Sequence, residues 1–231
     1  MLFGFFYFDW TLLIVLPAMI FAFWAQATVR STFQKYSAII TRSGKTAAEA
    51  ARVMLNANGL HSVQIKRVSG HLSDHYNPKD RTLYLSESVH DSRSAAAVGV
   101  ACHEAGHAIQ HGERYAPLSI RMSMVPICNI GSGLSMPLFL IGLFRANDLL
   151  MLVGIAAFSL ATLFQLVTLP VEFNASRRAL EGMRDCGIFY GDEIKGARRV
   201  LTAAAMTYVA ALATSLLSLL RLILIANSRR D

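Results

Sequence analysis

Charged residues are scarce in this chain. Asp, Glu, Lys and Arg together make up 16% of the sequence, whereas soluble domains average about 25%. Hydrophobic residues reach 54%. A chain with so few charges is a poor match for a fully water-exposed protein, so the composition predicts a protein that lies partly in lipid.

Cysteines are also few. The three, Cys102, Cys128 and Cys186, are odd in number and form no Cys-x-x-Cys pair, which argues against a disulfide framework. Reduced cysteines fit soluble parts that face a reducing compartment. Acidic residues are fewer than basic ones, and the net charge is +7. Because the basic residues lie beside apolar runs, membrane topology explains them and no nucleic-acid partner is expected.

Four apolar runs are each close to the ~20 residues that a membrane-spanning helix requires. They cover residues 2–27, 125–144, 149–171 and 201–226. No basic residue precedes the first run, which therefore lacks the start of a cleaved signal peptide and is expected to be an uncleaved anchor. The last run carries Arg221 near its end and is expected either to span or to lie in the interface.

The distribution of basic residues predicts the orientation. Residues 30–121 and 177–199 contain 12 and 6 of the 22 Lys and Arg residues, and four spans place both stretches on one side. The positive-inside rule assigns that side to the cytoplasm. We therefore expect an integral protein of a bacterial-type inner (plasma) membrane. Asp9 would then lie outside, and Arg229 and Arg230 favour the interfacial alternative for the last run.

Residues 28–124 have the pattern of a folded domain. Apolar spacing predicts a helix over 45–58, strands over 62–68 and 81–86, and a second helix over 94–111. Asp91 or Ser92 is the expected cap of that second helix.

The second helix contains His-Glu-Ala-Gly-His at residues 103–107. A spacing of four places His103 and His107 on one helical face, one turn apart, where both imidazoles can bind one Zn²⁺. Glu104 lies beside them and can accept a proton from a zinc-activated water. The alternative is a pair of inert, hydrogen-bonded histidines on a partly buried helix.

A catalytic zinc site needs a third protein ligand. His111 follows His107 by one turn, but the helical rise places it about 12 Å from His103, too far for one metal to bind all three. Glu172 directly follows the third apolar run and returns to the side of the motif if the second and third runs form a hairpin. Spacing alone leaves Glu172 either as a zinc ligand or as a solvated carboxylate that starts a helix.

Two stretches resemble the YugP-type membrane zinc metallopeptidases, also called neutral zinc metallopeptidases. They are GHLSDHYNPKDRTLYLSESVHDSRSAAAVGVACHEAGHAIQH at residues 70–111 and LPVEFNASRRAL at residues 169–180. The order of the apolar runs is also similar, so the resemblance covers nearly the whole chain. It implies a gluzincin-like site with His103, His107 and Glu172 as zinc ligands and Glu104 as the general base.

Asn174 departs from the pattern of the family that the chain resembles. That pattern reads EFDAS, with an aspartate at the position where this chain, with EFNAS, has Asn174. A carboxylate beside a ligating histidine orients the ring, and asparagine can accept the same hydrogen bond without charge. The resemblance also implies that the strand at 81–86 pairs with an extended substrate. Candidate oxyanion-stabilising residues are His75, Tyr76, Arg177 and Arg178, which are otherwise turn residues or topological anchors.

The predicted function is peptide-bond hydrolysis by a membrane-embedded zinc metalloendopeptidase, with the lipid bilayer and a peptide or protein substrate as partners. The alternative is a membrane scaffold or chaperone-like protein that retains a structural zinc site.

The predicted fold is mainly α, with about four transmembrane helices and a small α+β zincin-like cytoplasmic domain that carries the HExxH helix. The oligomeric state stays open. The expected segments are a transmembrane anchor at 1–27, the zincin-like domain at 28–124, a transmembrane hairpin at 125–171, a cytoplasmic segment with the third zinc ligand at 172–200, and a transmembrane or interfacial helix with the C-terminus at 201–231.

Overall fold

A computed structural model describes residues 10–70 and 73–228 of the chain. The expectations for Asp9, Arg229 and Arg230, and the part of the resemblance on His71 and Leu72, lie outside the described residues. Within them the chain is mainly helical with a small sheet. The elements, in order, are α1 (Leu12–Ser37), α2 (Ala47–Ala57), β1 (Gln64–Val68), β2 (His75–Asn77), β3 (Thr82–Ser86), α3 (Glu87–His90), α4 (Ala95–Gly112), α5 (Ala116–Phe144), α6 (Asp148–Asp185) and α7 (Asp192–Asn227).

Four helices among the described residues, α1, α5, α6 and α7, are long and apolar enough to cross a membrane. They confirm the four membrane-length apolar segments expected from the sequence. Helix α5 remains continuous through Pro126 and Pro137. Helix α6 does not end where its apolar run ends but continues past Val171 to Asp185.

The chain divides into two compact units, each built from separate stretches. The first unit comprises Met1–Trp24, Arg121–Val167 and Tyr208–Asp231. In it, Phe139, Met151 and Leu222 form a small buried cluster, while many large apolar side chains stay exposed. They include Ile20, Phe23, Ile130, Phe144 and Leu149. A surface this apolar is typical of contact with lipid.

The second unit comprises Ala25–Ile120 and Thr168–Thr207, and helix α2 shows how its core forms. The hydroxyl of Thr46 accepts a hydrogen bond from the backbone N–H of Glu49, and the Glu49 carboxylate accepts one from the N–H of Thr46. This reciprocal capping starts the helix. Its buried face repeats at helical spacing and consists of Ala47, Ala50, Ala51, Met54 and Leu55. These side chains join one core with parts of β3, α4, α6 and α7.

Strand β3 is the centre of the sheet formed by the described strands. β1 pairs with it in parallel and β2 pairs with it antiparallel. Both sides of β3 therefore pair with a neighbouring strand. Its buried residues are Thr82, Leu83, Leu85 and Ser86. The expectation that the strand at 81–86 pairs with an extended substrate is wrong, because a strand can be added only at the edge of a sheet.

Helix α4 begins at a different cap from the one expected. Ser94 accepts a hydrogen bond from the N–H of Ala97 at 3.2 Å, so neither Asp91 nor Ser92 is the cap. Ser92 instead donates its hydroxyl hydrogen to Ser94 Oγ. A β-bridge between Ile40 and Ser94 holds Ser94 in the extended conformation that a helix N-cap adopts.

Helices α4 and α6 approach each other closely at Gly106. A Cβ atom at this position would lie 2.6 Å from the carbonyl oxygen of Ala175, closer than real Cβ contacts. Only glycine fits this crossing, which lies between His103 and His107 on α4 and three residues after Glu172 on α6. The crossing therefore sets how near the carboxylate comes to the two imidazoles.

Candidate metal centre

Three potential ligands converge in the second unit. Glu172 Oε2 lies 3.2 Å from His103 Nε2 and 3.6 Å from His107 Nε2, and the three ligand atoms lie within 4.8 Å of one another. The two imidazole rings stand nearly perpendicular, with centroids 4.8 Å apart. The structure thus brings together the two histidines of α4 and a carboxylate from a segment distant in sequence.

The donor set fits a zinc ion. Tetrahedral nitrogen and oxygen ligands at about 2.0–2.1 Å from zinc lie about 3.3–3.4 Å from each other. The separations of 3.2 and 3.6 Å from Glu172 Oε2 to the two Nε2 atoms bracket that value. Two imidazoles and a carboxylate occupy three positions of such a site and leave the fourth for water or substrate.

Both imidazoles use their other nitrogen for a hydrogen bond. His107 Nδ1 lies 3.0 Å from Gln110 Oε1, and His103 Nδ1 lies 3.2 Å from Ser176 Oγ. A hydrogen bond at Nδ1 orients the ring and turns Nε2 toward the ligand position. The sequence reasoning missed Gln110 and Ser176. Their spacing held the signal, since Gln110 follows His107 by three residues and Ser176 follows Glu172 by four, so each pair shares a helical face.

Glu172 lies inside α6, where only 2% of its surface is exposed. The sequence left open that it was a solvated carboxylate at the start of a helix, and this alternative is wrong because α6 continues without interruption from Asp148 to Asp185. A buried carboxylate requires charged or hydrogen-bonding partners. The two histidines supply them here.

Glu104 lies next to the histidine pair and is partly buried. Its Oε2 accepts a hydrogen bond of 3.0 Å from the backbone N–H of Tyr76 in β2. Burial raises the pKa of Glu104, and the positive charge of His107 and His103 opposes this shift only in part. A raised pKa brings a carboxylate closer to the neutral range in which it can exchange protons.

The pKa of His107 is also raised. Burial alone lowers it, but the hydrogen bond to Glu172 and the negative charges of Glu104 and Glu172 outweigh burial. In the metal-free protein the imidazole therefore holds its proton more tightly than usual. A metal ion must displace that proton, since only a neutral imidazole binds a metal.

Asn174 does not contact either histidine directly. Its Oδ1 accepts hydrogen bonds from Gln110 Nε2 at 3.0 Å and from Arg178 Nε at 2.7 Å. Arg178 in turn forms an ion pair of 2.7 Å with Glu113. The expectation that residue 174 orients a ligating histidine itself is corrected by this geometry, because Gln110 stands between them.

The remaining candidates from the sequence have other partners. The Tyr76 hydroxyl lies 2.9 Å from His111 Nδ1, so His111 contacts strand β2 through Tyr76. His75 stacks on the ring of Tyr84 with centroids 5.0 Å apart. Arg177 is exposed and lies 3.8 Å from its neighbour on α6, Glu181. Arg178 donates a hydrogen bond to Asn174 Oδ1, as described above.

Comparison with known proteins identifies the family to which this chain belongs. A family model with the description "Putative neutral zinc metallopeptidase" matches residues 11–227. The chain belongs to this family. A relative from Bacillus subtilis (strain 168) with the name "Putative membrane protease YugP" is 46% identical over 218 residues, which cover 94% of this chain and 97% of the relative. No solved structure matches the chain.

Membership of the neutral zinc metallopeptidase family confirms the resemblance seen in the two sequence stretches. The family description implies zinc, and His103, His107 and Glu172 form a group that could hold a metal ion. The relative's name and the four membrane-length helices both indicate a membrane protein.

Proposed function

We propose that this protein is a membrane-embedded zinc metalloendopeptidase that hydrolyses peptide bonds. The observation that carries the proposal is the approach of one Glu172 oxygen to the Nε2 atoms of His103 and His107, at 3.2 and 3.6 Å. A buried carboxylate and two imidazoles with their other nitrogens already hydrogen-bonded form the protein part of a catalytic zinc site.

Zinc, when bound there, would lower the pKa of a water ligand toward ~7 and polarise the scissile carbonyl. Glu104 is the general base: it takes a proton from the attacking water and passes it to the leaving amine. Its carboxyl group holds the proton between the two transfers. In the free protein the N–H of Tyr76 orients this carboxylate.

An extended substrate would add to β2 rather than β3. β1 and β2 are the outer strands of the sheet, and β2 is the one that contacts Glu104. Main-chain hydrogen bonds to an outer strand tolerate varied side chains. The substrate class we propose is therefore a peptide or an unfolded protein segment.

The proposed location is a bacterial-type inner (plasma) membrane, with the lipid bilayer as partner and the active site facing the cytoplasm. The support is the content of 12 and 6 basic residues in stretches 30–121 and 177–199. Of the five segments expected from the sequence, 28–124 and 172–200 would supply the cytoplasmic groups of the site.

The test is Glu104→Gln in the full chain, purified in detergent and incubated with casein. Glutamine keeps the shape of the side chain and can still accept the Tyr76 hydrogen bond, but it cannot take up a proton. We expect zinc content equal to that of the wild type and a loss of cleavage of about 10²- to 10⁴-fold.

Glu87→Gln is the matched control, because Glu87 is an exposed carboxylate on the short helix α3. It should cleave casein like the wild type. Equal cleavage by Glu104→Gln and wild type would overturn the mechanism. A wild-type chain that binds zinc but cleaves neither casein nor a peptide library would instead favour the membrane scaffold with a structural zinc.

A further inference from the structure

We propose that Gln110 is the positioning residue that sets the tautomer of His107, and that Arg178 sets the orientation of Gln110 through Asn174. This inference rests on the proposed zinc site. It adds that zinc affinity is controlled by a chain of hydrogen bonds which begins at an ion pair between Arg178 and Glu113.

The amide of Gln110 can occupy its place in one orientation only. Its side chain is fully buried, and its Nε2 donates to the backbone oxygen of Val171 at 2.8 Å and to Asn174 Oδ1 at 3.0 Å. A flipped amide would turn its oxygen toward these two oxygens, with no hydrogen between the oxygens of either pair. Gln110 Oε1 therefore faces His107, and an oxygen can only accept, so His107 Nδ1 must carry a proton.

Asn174 is oriented by the same logic. Its Oδ1 receives hydrogen bonds from Gln110 and from the guanidinium of Arg178, at 3.0 and 2.7 Å. Arginine has donors only and stays charged, so it excludes the flipped asparagine. The ion pair of 2.7 Å with Glu113 holds the guanidinium. Arg178 thus fixes the direction of the bond from Gln110 to Asn174. The Val171 carbonyl, which can only accept, favours the same orientation of Gln110.

The fixed direction has a consequence for the metal. Glu172 Oε2 lies 3.6 Å from His107 Nε2, and a carboxylate alone would favour the tautomer with its proton on Nε2. That tautomer has no lone pair on Nε2, the nitrogen that faces the ligand position. Gln110 opposes Glu172 by requiring the proton on Nδ1, so that a neutral His107 presents the Nε2 lone pair to the ligand position.

Ser176 does not act in the same way on His103. A hydroxyl group can either donate or accept, so its contact of 3.2 Å with His103 Nδ1 fixes the ring without selecting a tautomer. Of the two histidines, His107 is therefore the one whose proton position depends on its neighbour.

The experiment measures zinc affinity by competition with a chelating dye, in the full chain and without any substrate. Gln110→Met keeps the length of the side chain but removes the acceptor, and Asn174→Leu removes the acceptor for Gln110. We expect each to bind zinc about 10- to 100-fold more weakly than the wild type. Asn174→Asp still accepts from both donors and should bind within about threefold of the wild type.

Neighbouring arginines supply the matched control. Arg178→Ala should weaken zinc binding, whereas Arg177→Ala, which removes an exposed side chain outside the chain of hydrogen bonds, should not. A second measurement reads the tautomer directly. In the metal-free protein with ¹⁵N-labelled histidine at alkaline pH, the His107 signals should show the proton on Nδ1 in the wild type and a shift toward Nε2 in Gln110→Met.

The outcomes separate this inference from the zinc site itself. Wild-type zinc affinity in both Gln110→Met and Asn174→Leu, together with loss of zinc in His103→Ala, would overturn the positioning role and leave the site in place. Unchanged binding in His103→Ala would overturn the site. If Gln110→Met does not fold, the difference between Asn174→Leu and Asn174→Asp decides, since the two variants are similar in size and differ in whether they accept.

Discussion

Replacing Gly106 with alanine tests whether the helix crossing determines the geometry of the site. The new Cβ atom would lie 2.6 Å from the carbonyl oxygen of Ala175, whereas ordinary contacts begin at 3.4 Å. The obstacle is backbone, so a side-chain rotation cannot relieve it. The helices α4 and α6 must separate by about 0.8 Å, while metal–ligand distances tolerate about 0.2 Å.

The free energy of unfolding changes through two opposing effects. Overpacking costs about 1–3 kcal/mol, while replacing glycine by alanine inside a helix gains about 0.8–1.0 kcal/mol. The balance is a net destabilisation of about 0–2 kcal/mol. The displacement of Glu172 from the histidines adds a separate loss of zinc affinity, which we expect to be about 10- to 100-fold by analogy with other disturbed ligand geometries.

Gly99→Ala is the matched control on the same helix. A Cβ atom at Gly99 would meet Ala197 Cβ at 3.8 Å, an ordinary contact. This variant should therefore gain helix stability of about 0.5–1 kcal/mol and bind zinc like the wild type. The assays are thermal unfolding of the detergent-solubilised chain in the presence of a chelator and zinc competition with a dye.

The reasoning would be refuted by a Gly106→Ala chain that matches Gly99→Ala in both stability and zinc affinity. Such a result would mean that α4 and α6 can separate without moving the ligands. A loss of stability with unchanged zinc affinity would also contradict the argument, because it would separate the crossing from the site.

Two further changes test the supporting contacts. Thr46→Ala removes the reciprocal cap of α2 and should lower the free energy of unfolding by about 0.5–2 kcal/mol with zinc affinity unchanged; Thr46→Ser, which keeps the hydroxyl, should be close to the wild type in the same thermal assay. Ser176→Ala removes the hydroxyl beside His103 Nδ1 and should weaken zinc binding less than Gln110→Met, because that hydroxyl orients the ring without selecting a tautomer. A larger effect of Ser176→Ala in the dye competition would contradict this order.

The local features of the chain were predictable from the sequence because they depend on short-range spacing. The four apolar runs predicted four membrane-length helices. The alternation and turn residues predicted two of the strands near their observed places, β1 and β3. The cap of α4 was predicted wrongly by two or three positions, because the bridge between Ile40 and Ser94 that selects Ser94 joins residues far apart in sequence.

The sheet order was beyond local reasoning. The strand that precedes the histidine helix was expected to bind substrate, but the pairing of β1 and β2 on either side of β3 depends on how the strands assemble. The same applies to residue 174: its position in the motif is visible in the sequence, but its contact with Gln110 and Arg178 requires α4 and α6 to be in place.

The sequence alone determined which atoms were available for chemistry: two imidazoles one helical turn apart, a carboxylate beside them, and a second carboxylate after an apolar run. Tertiary structure decided that the second carboxylate lies in the interior of α6 and within 3.2 and 3.6 Å of the two Nε2 atoms. The physical reason is that ligand geometry depends on how closely two helices pack. That distance is set here by the absence of a Cβ atom at Gly106 and by the backbone of Ala175.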